Sequence, residues 1–192
     1  VGMAMRSGIV TLVTDYGTAD GYAGALKGAI ASASSKPRVV DVSHEIPPGD
    51  VLAGAWCLKV SAPCFPPGTV HLAVVDPGVG GSRRPVVLAR GGSLLVGPDN
   101  GLLSMVPGED SGAWEIDVAA VAAGRVPPTF HGRDVFAPAA ARMAAGLDPA
   151  AIGRPIDLAG LARLPLDTGW SEEGGFVAGR VVHVDRFGNL VT

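Results

Sequence analysis

The chain has 192 residues, 47% of them apolar and 17% charged, with 28 Gly, 16 Pro and a net charge of −3. Disorder needs low hydrophobicity and high charge, so the Gly and Pro excess points to many tight turns in a compact fold, one domain or one domain plus a fragment of another. The 15 Lys and Arg are scattered, which argues against a nucleic-acid partner, and no apolar stretch approaches the length that spans a membrane.

Elements follow in chain order. IVTLVTD (9–15), RVVDVS (38–43), TVHLAVVD (69–76), PVVLAR (85–90), SLLVGPD (93–99) and FVAGRVVHVD (176–185) read as strands. The early ones are nearly continuously apolar, as in a parallel sheet covered on both faces. Helices are expected over Gly21–Ser35, over Asp50–Val60 with Asp50 as N-cap, and over Asp134–Ala145, where Pro138 fits only near a first turn. This alternation predicts an α/β fold with a mostly parallel sheet and helices on both faces. The stretches 107–130 and 146–175 read as loop-rich. The expected division is an α/β domain over 1–165, a linker over 166–175, and over 176–192 the first strands of a further β domain that the chain does not complete. Cys57 and Cys64 lack metal-ligand spacing. A reduced, cytoplasmic setting is the default for so few cysteines. VGMAMRSG lacks the long apolar core of a signal peptide.

Five apolar runs end in aspartate: Asp15, Asp41, Asp76, Asp99 and Asp185. Ligands of open parallel sheets bind outside the carboxyl ends of the strands, so these carboxylates could form an anionic pocket for a cation. The alternative is that they start turns or cap helices. A metal ion is the weaker choice of cation, because no DxD motif and no His pair at i,i+4 is present. An amine or a sulfonium remains.

Four segments carry the chemistry. In TDYGTADGY (14–22), Asp15 could hold a ribose diol, while Asp20 could instead cap the helix at Gly21. In VVDPGVGGSRR (74–84), Asp76 is followed by a Gly-rich loop and by Arg83 and Arg84, and an Arg close to Asp76 would hold it ionised. A hairpin turn with surface arginines is the alternative. In FHGRDVFAP (130–138), His131 precedes a helix and suits proton transfer or water orientation. In DRFGN (185–189), Phe187 could stack on a base and Asn189 could read an amide-like edge, unless this is an ordinary hairpin turn.

These segments, with DVSHEIPPGD (41–50) and GPDNGLL (97–103), form an ordered set along the whole chain. The set resembles the S-adenosyl-L-methionine (SAM) hydrolases, or SAM hydroxide adenosyltransferases, relatives of the fluorinase and chlorinase. The resemblance implies an α/β domain followed by a small β-barrel. It implies homotrimers with each site between subunits, and metal-free, cofactor-free hydrolysis of SAM to adenosine and L-methionine. By motif, Asp76, Arg83 and His131 would surround the attacking water. Asp15 would bind the ribose hydroxyls, Asp20 and Asp185 would face the methionine ammonium, and Phe187 and Asn189 the adenine. The halogenases carry neutral residues in place of this loop's Asp and first Arg, so DPGVGGSRR points to the hydrolase branch. Gly49 stands where the fluorinase has a Trp against the ribose. The chain also ends before most of the expected C-terminal domain. Rival readings are a SAM-dependent halogenase, a metal-dependent phosphohydrolase and a non-catalytic SAM- or adenosine-binding protein.

Overall fold

The structure, a computed structural model, describes residues 6–122, 124, 126–165 and 171–192. Among them, seven strands form one mixed sheet: β1 (Ile9–Thr14), β2 (Arg38–Ser43), β3 (Val70–Val74), β4 (Pro85–Arg90), β5 (Ser93–Pro98), β6 (Asp110–Ile116) and β7 (Gly153–Pro155). Their order is β2-β1-β3-β5-β4-β6-β7. β2, β1, β3 and β5 are mutually parallel, whereas β4, β6 and β7 join antiparallel. The expected mostly parallel sheet is therefore parallel in only one half. The reason is local. Only Gly91 and Gly92 separate β4 from β5, both at positive φ, and a parallel pair needs a crossover of about a dozen residues.

Helices cover both faces, as expected. α1 (Tyr22–Ala33) and α4 (Ala137–Ala144) pack on the face that carries Val10, Leu12, Val70, Leu72 and Val74. α2 (Val51–Ser61) packs on the other face, against Val13, Ala73 and Val75. The switch of face between Leu12 and Val13 is the period-2 alternation of a strand. Leu12, Leu26, Leu58 and Leu72 are fully buried, and each contributes about 1.5–3 kcal/mol. Asp50 caps α2 by accepting from the Ala53 amide at 2.9 Å. Five residues before α4, Gly132–Phe136, form a π-helical turn. Pro138 then sits in the first turn of α4, where its missing N–H is tolerated.

Two expectations fail in the expected loops. β6 and the short helix α3 (Val118–Val121) lie within 107–130, and β7 within 146–175. β6, DSGAWEI, is broken by polar residues and a Gly, because it lies towards the sheet edge and is only partly buried. Of the expected linker, 166–170 lies outside the described residues. The remainder begins a hairpin: β8 (Ser171–Glu173) pairs with β9 (Phe176–Ala178). The single strand expected over 176–185 is split, and β10 (His183–Val184) pairs with β11 (Leu190–Val191).

Candidate active site

The loops after β1, β2 and β3 leave the sheet at the carboxyl ends of adjacent parallel strands, where ligands of such sheets bind. Asp76 leads the third loop. Its side chain and that of Arg83 are 5% and 9% exposed. Arg83 Nε donates to Asp76 Oδ1 and Oδ2 at 3.1 and 2.9 Å, and Nη2 donates to Oδ2 at 2.5 Å. The same Nη2 lies 2.9 Å from His131 Nδ1. A guanidinium has no acceptor, so His131 Nδ1 must accept, and the imidazole hydrogen resides on Nε2. Burial, with the neighbouring Arg83 charge, lowers the His131 pKa below its ordinary value. Arg83 also lies over the Phe136 ring, 5.3 Å from its centroid, which fixes its plane from below.

The Gly-rich loop makes this convergence possible. Gly80 has φ +76°, and a Cβ there would stand 2.8 Å from the Pro128 carbonyl oxygen and 2.9 Å from its Cβ. The loop after β3 therefore approaches the segment leading into His131 more closely than any side chain would permit.

Asp15 is tied to the loop that follows Asp76 through Gly49. Its Oδ2 accepts from the Gly49 amide at 2.9 Å, and Gly49 in turn adjoins Pro77. A cleft of about 690 Å³ is lined by Asp15, Tyr16, Tyr22, Thr129, Phe130 and Arg133, among others. Tyr16 and Tyr22 meet edge to face with centroids 6.4 Å apart. Burial, reinforced by the Asp15 and Asp76 carboxylates, raises the Tyr16 pKa and keeps its phenol protonated. Tyr16, Tyr22, Phe130 and Arg133 were not singled out from the sequence. The available signal was adjacency, since Tyr16 follows Asp15 and Phe130 precedes His131.

The other carboxylates have separate partners. Asp41 pairs with Lys27 at 2.5 Å on an exposed surface. Asp99 accepts from Arg84 at 2.5 Å and from the Ala162 amide at 2.8 Å, so Arg84 serves structure. Of the five strand-end aspartates, Asp15 alone lines this cleft, while Asp76 is buried in its pair with Arg83. Asp20 is exposed ahead of α1 and makes no cap, because Gly21 occupies that position without a side-chain bond. Asp185, Phe187 and Asn189 form a closed turn. Asp185 Oδ1 accepts from the amides of Phe187 and Asn189, both at 2.8 Å, and Oδ2 from Asn189 Nδ2 at 2.6 Å. These bonds lower the Asp185 pKa, the Asn189 side chain first. Phe187 is 89% exposed. This turn adjoins α2 through His183, which stacks on Trp56 at 6.0 Å. Among the described residues, no three of His, Cys, Asp and Glu gather to hold a metal ion, and no helix is long and apolar enough to cross a membrane.

The sequence pattern described as the SAM hydroxide adenosyltransferase N-terminal domain matches residues 10–153. The chain belongs to the SAM hydroxide adenosyltransferase family. It is 46% identical over 184 residues to a protein of Salinispora tropica named (R)-S-adenosyl-L-methionine hydrolase, covering 94% of this chain and 70% of that one. To a fluorinase of Actinoplanes sp. it is 29% identical, over 96% of this chain and 70% of the fluorinase. The crystal structure of a conserved protein from Thermotoga maritima superposes with a TM-score of 0.85 at 34% identity, covering 95% of this chain and 69% of that one.

Proposed function

We propose that this member of the family hydrolyses S-adenosyl-L-methionine to adenosine and L-methionine. The observation that carries the reading is the planar convergence of Arg83 on Asp76 and His131. The sulfonium leaves readily as a neutral thioether, so the difficulty is the nucleophile, since bulk water has a pKa of about 15.7. His131 Nε2–H donates to the oxygen of one water and aims it. Asp76, oriented by its paired hydrogen bonds from Arg83, accepts one of its hydrogens. A lone pair of the water oxygen forms the bond to C5′, opposite sulfur. The C5′–S bond breaks, its electron pair goes to sulfur, and the surplus proton passes through Asp76 to solvent. Placing the water in line is worth several kcal/mol, about 7 or more in the best cases.

In this reading Asp15 holds the ribose hydroxyls and Tyr16 closes the wall behind them. Asp20 and Asp185 serve the methionine ammonium, and Phe187 and Asn189 the adenine, once their turn opens towards a substrate. We extend the proposal to a β domain that includes residues 171–192, to homotrimers with sites between subunits, to catalysis without metal or cofactor, and to the cytoplasm. The free thiols Cys57 and Cys64 suit a reducing compartment. A halogenase would have to bring a halide beside the Asp76 carboxylate, which like charge opposes.

The test is chromatography of products after incubation with SAM in the presence of chelator. Adenosine and methionine are expected. A 5′-haloadenosine formed with halide present would assign the halogenase instead. Loss of turnover on chelation would assign a metal-dependent hydrolase, and an unchanged SAM peak would leave binding alone.

A further inference from the structure

We infer that His44 is a positioning residue, acting through Thr14 to hold the loop that carries Asp15. The inference rests on the reading of Asp15 as the ribose ligand. The loops after β1 and β2 are tied by four contacts. The Gly17 amide donates to the His44 carbonyl at 2.7 Å and the Ile46 amide to the Thr14 carbonyl at 3.3 Å. The Gly49 amide donates to Asp15, and Thr18 Oγ1 donates to Glu45 Oε1 at 2.8 Å on the exposed surface. A fifth tie joins two buried side chains, Thr14 Oγ1 and His44 Nδ1, 2.8 Å apart. Thr14 is fully buried and His44 is 4% exposed.

The pairing of β1 with β2 explains why these two meet. Leu12 lies opposite Asp41, but Val13 lies opposite Ser43. This one-residue slip turns Thr14 towards His44 instead of Ser43, the way an irregularity at a strand end re-aims a side chain. Thr14 Oγ1 also accepts from the Tyr16 amide at 3.3 Å. One hydroxyl therefore links His44 to the backbone amide that follows Asp15. His44 Nε2 is buried and lies 3.2 Å from Asp41 Oδ1 without the alignment of a hydrogen bond. The carboxylate charge at that distance favours the tautomer with its hydrogen on Nε2, and Nδ1 then accepts from the Thr14 hydroxyl. The result is a directed chain. Asp41, itself paired with Lys27, biases the His44 tautomer by its charge, His44 orients the Thr14 hydroxyl, and Thr14 orients the Tyr16 amide that follows Asp15. A buried histidine fixed this way is costly to leave half satisfied.

A purely structural His44 would affect all ligands alike. A positioning His44 affects the contact of Asp15 with the ribose hydroxyls. The experiment compares calorimetric affinities for adenosine and for 2′,3′-dideoxyadenosine, which lacks both hydroxyls. The wild-type protein should prefer adenosine, and Asp15→Asn should abolish that preference. His44→Leu and Thr14→Val should each shrink it about tenfold, the share of one misplaced charge-assisted hydrogen bond, with dideoxyadenosine affinity unchanged. His44→Asn keeps an acceptor near the Nδ1 position and should restore most of the preference. His44→Gln keeps a polar group only near Nε2, preserves volume better than Leu, and should not. No preference in the wild type, or an unaltered preference in Asp15→Asn, would sink the ribose reading. If Asp15→Asn loses the preference while His44→Gln and Thr14→Val retain it, or if both nucleosides weaken equally, the positioning role is overturned.

Discussion

Arg83 offers its donors in one rigid plane, two nitrogens to Asp76 and one of them also to His131. A Lys at that position could reach one partner at a time, so Arg83→Lys should lower kcat about a hundredfold, with a smaller change in KM. Asp76→Ala, Arg83→Ala and His131→Ala should each cut turnover strongly while SAM still binds. Wild-type-like turnover in all three would remove the trio from the chemistry. The His131 pKa is lowered, so the working neutral form persists below the ordinary imidazole value of about 6.5 and is lost only as pH falls through the lowered value. The acid limb of the kcat profile should therefore fall clearly below that pH, and in a His131→Ala variant the residual rate should not show it. An acid limb above 6.5 in the wild type would contradict the assignment.

The loop and turn that frame the trio are set by two glycines with different reasons. Gly80 needs both a positive φ and the space taken by Pro128. Gly80→Ala should cost about 1–3 kcal/mol and, by pushing the Pro128 segment outward, should break the Arg83–His131 contact. Lower activity per folded molecule together with a lower Tm is the expected result. Gly132, first residue of the π-helical turn, has ordinary backbone, but a Cβ there would stand 1.9 Å from the Tyr16 hydroxyl. Gly132→Ala should therefore displace Tyr16, and Tyr16→Phe should recover part of the lost stability when combined with it. Strict additivity in thermal unfolding would refute that coupling. The motif DPGVGG showed in sequence that backbone approaches something closely. What it approaches, a proline 48 residues further on, was not legible, because spacing says nothing about which distant loop the sheet order brings alongside.

At the scale of the whole molecule, stability carries a histidine unrelated to the site. His71 lies in β3, is 1% exposed and bonds to Thr11 Oγ1 through Nδ1 at 2.8 Å. Burial pushes its pKa down to about 4. The unfolded chain therefore takes up this proton at about pH 6.5 while the folded chain does not until about 4. Between those values folding free energy should fall by about 1.4 kcal/mol per pH unit from this group alone, and it should level off below. Urea titrations at pH 7 and 4.5 should show the loss in the wild type and a shallower one in His71→Asn, referred to its own value at pH 7. Equal slopes would show that the ring is already charged in the folded state.

The sequence by itself determined the alternation of strands and helices, the faces they bury, the cap at Asp50, the turn at Asp185–Gly188 and the ordered motifs that bring the family to mind. These are local patterns or one-dimensional spacings, and local physics decides them. The tertiary structure decided which of five strand-end aspartates lines the cleft, that Arg83 turns inward while Arg84 turns to Asp99, and that half of the sheet is antiparallel. Each depends on strand order and on contacts between residues tens of positions apart. The same holds for Thr14 and His44: a one-residue slip between neighbouring strands aims them at each other, and only the paired register records it.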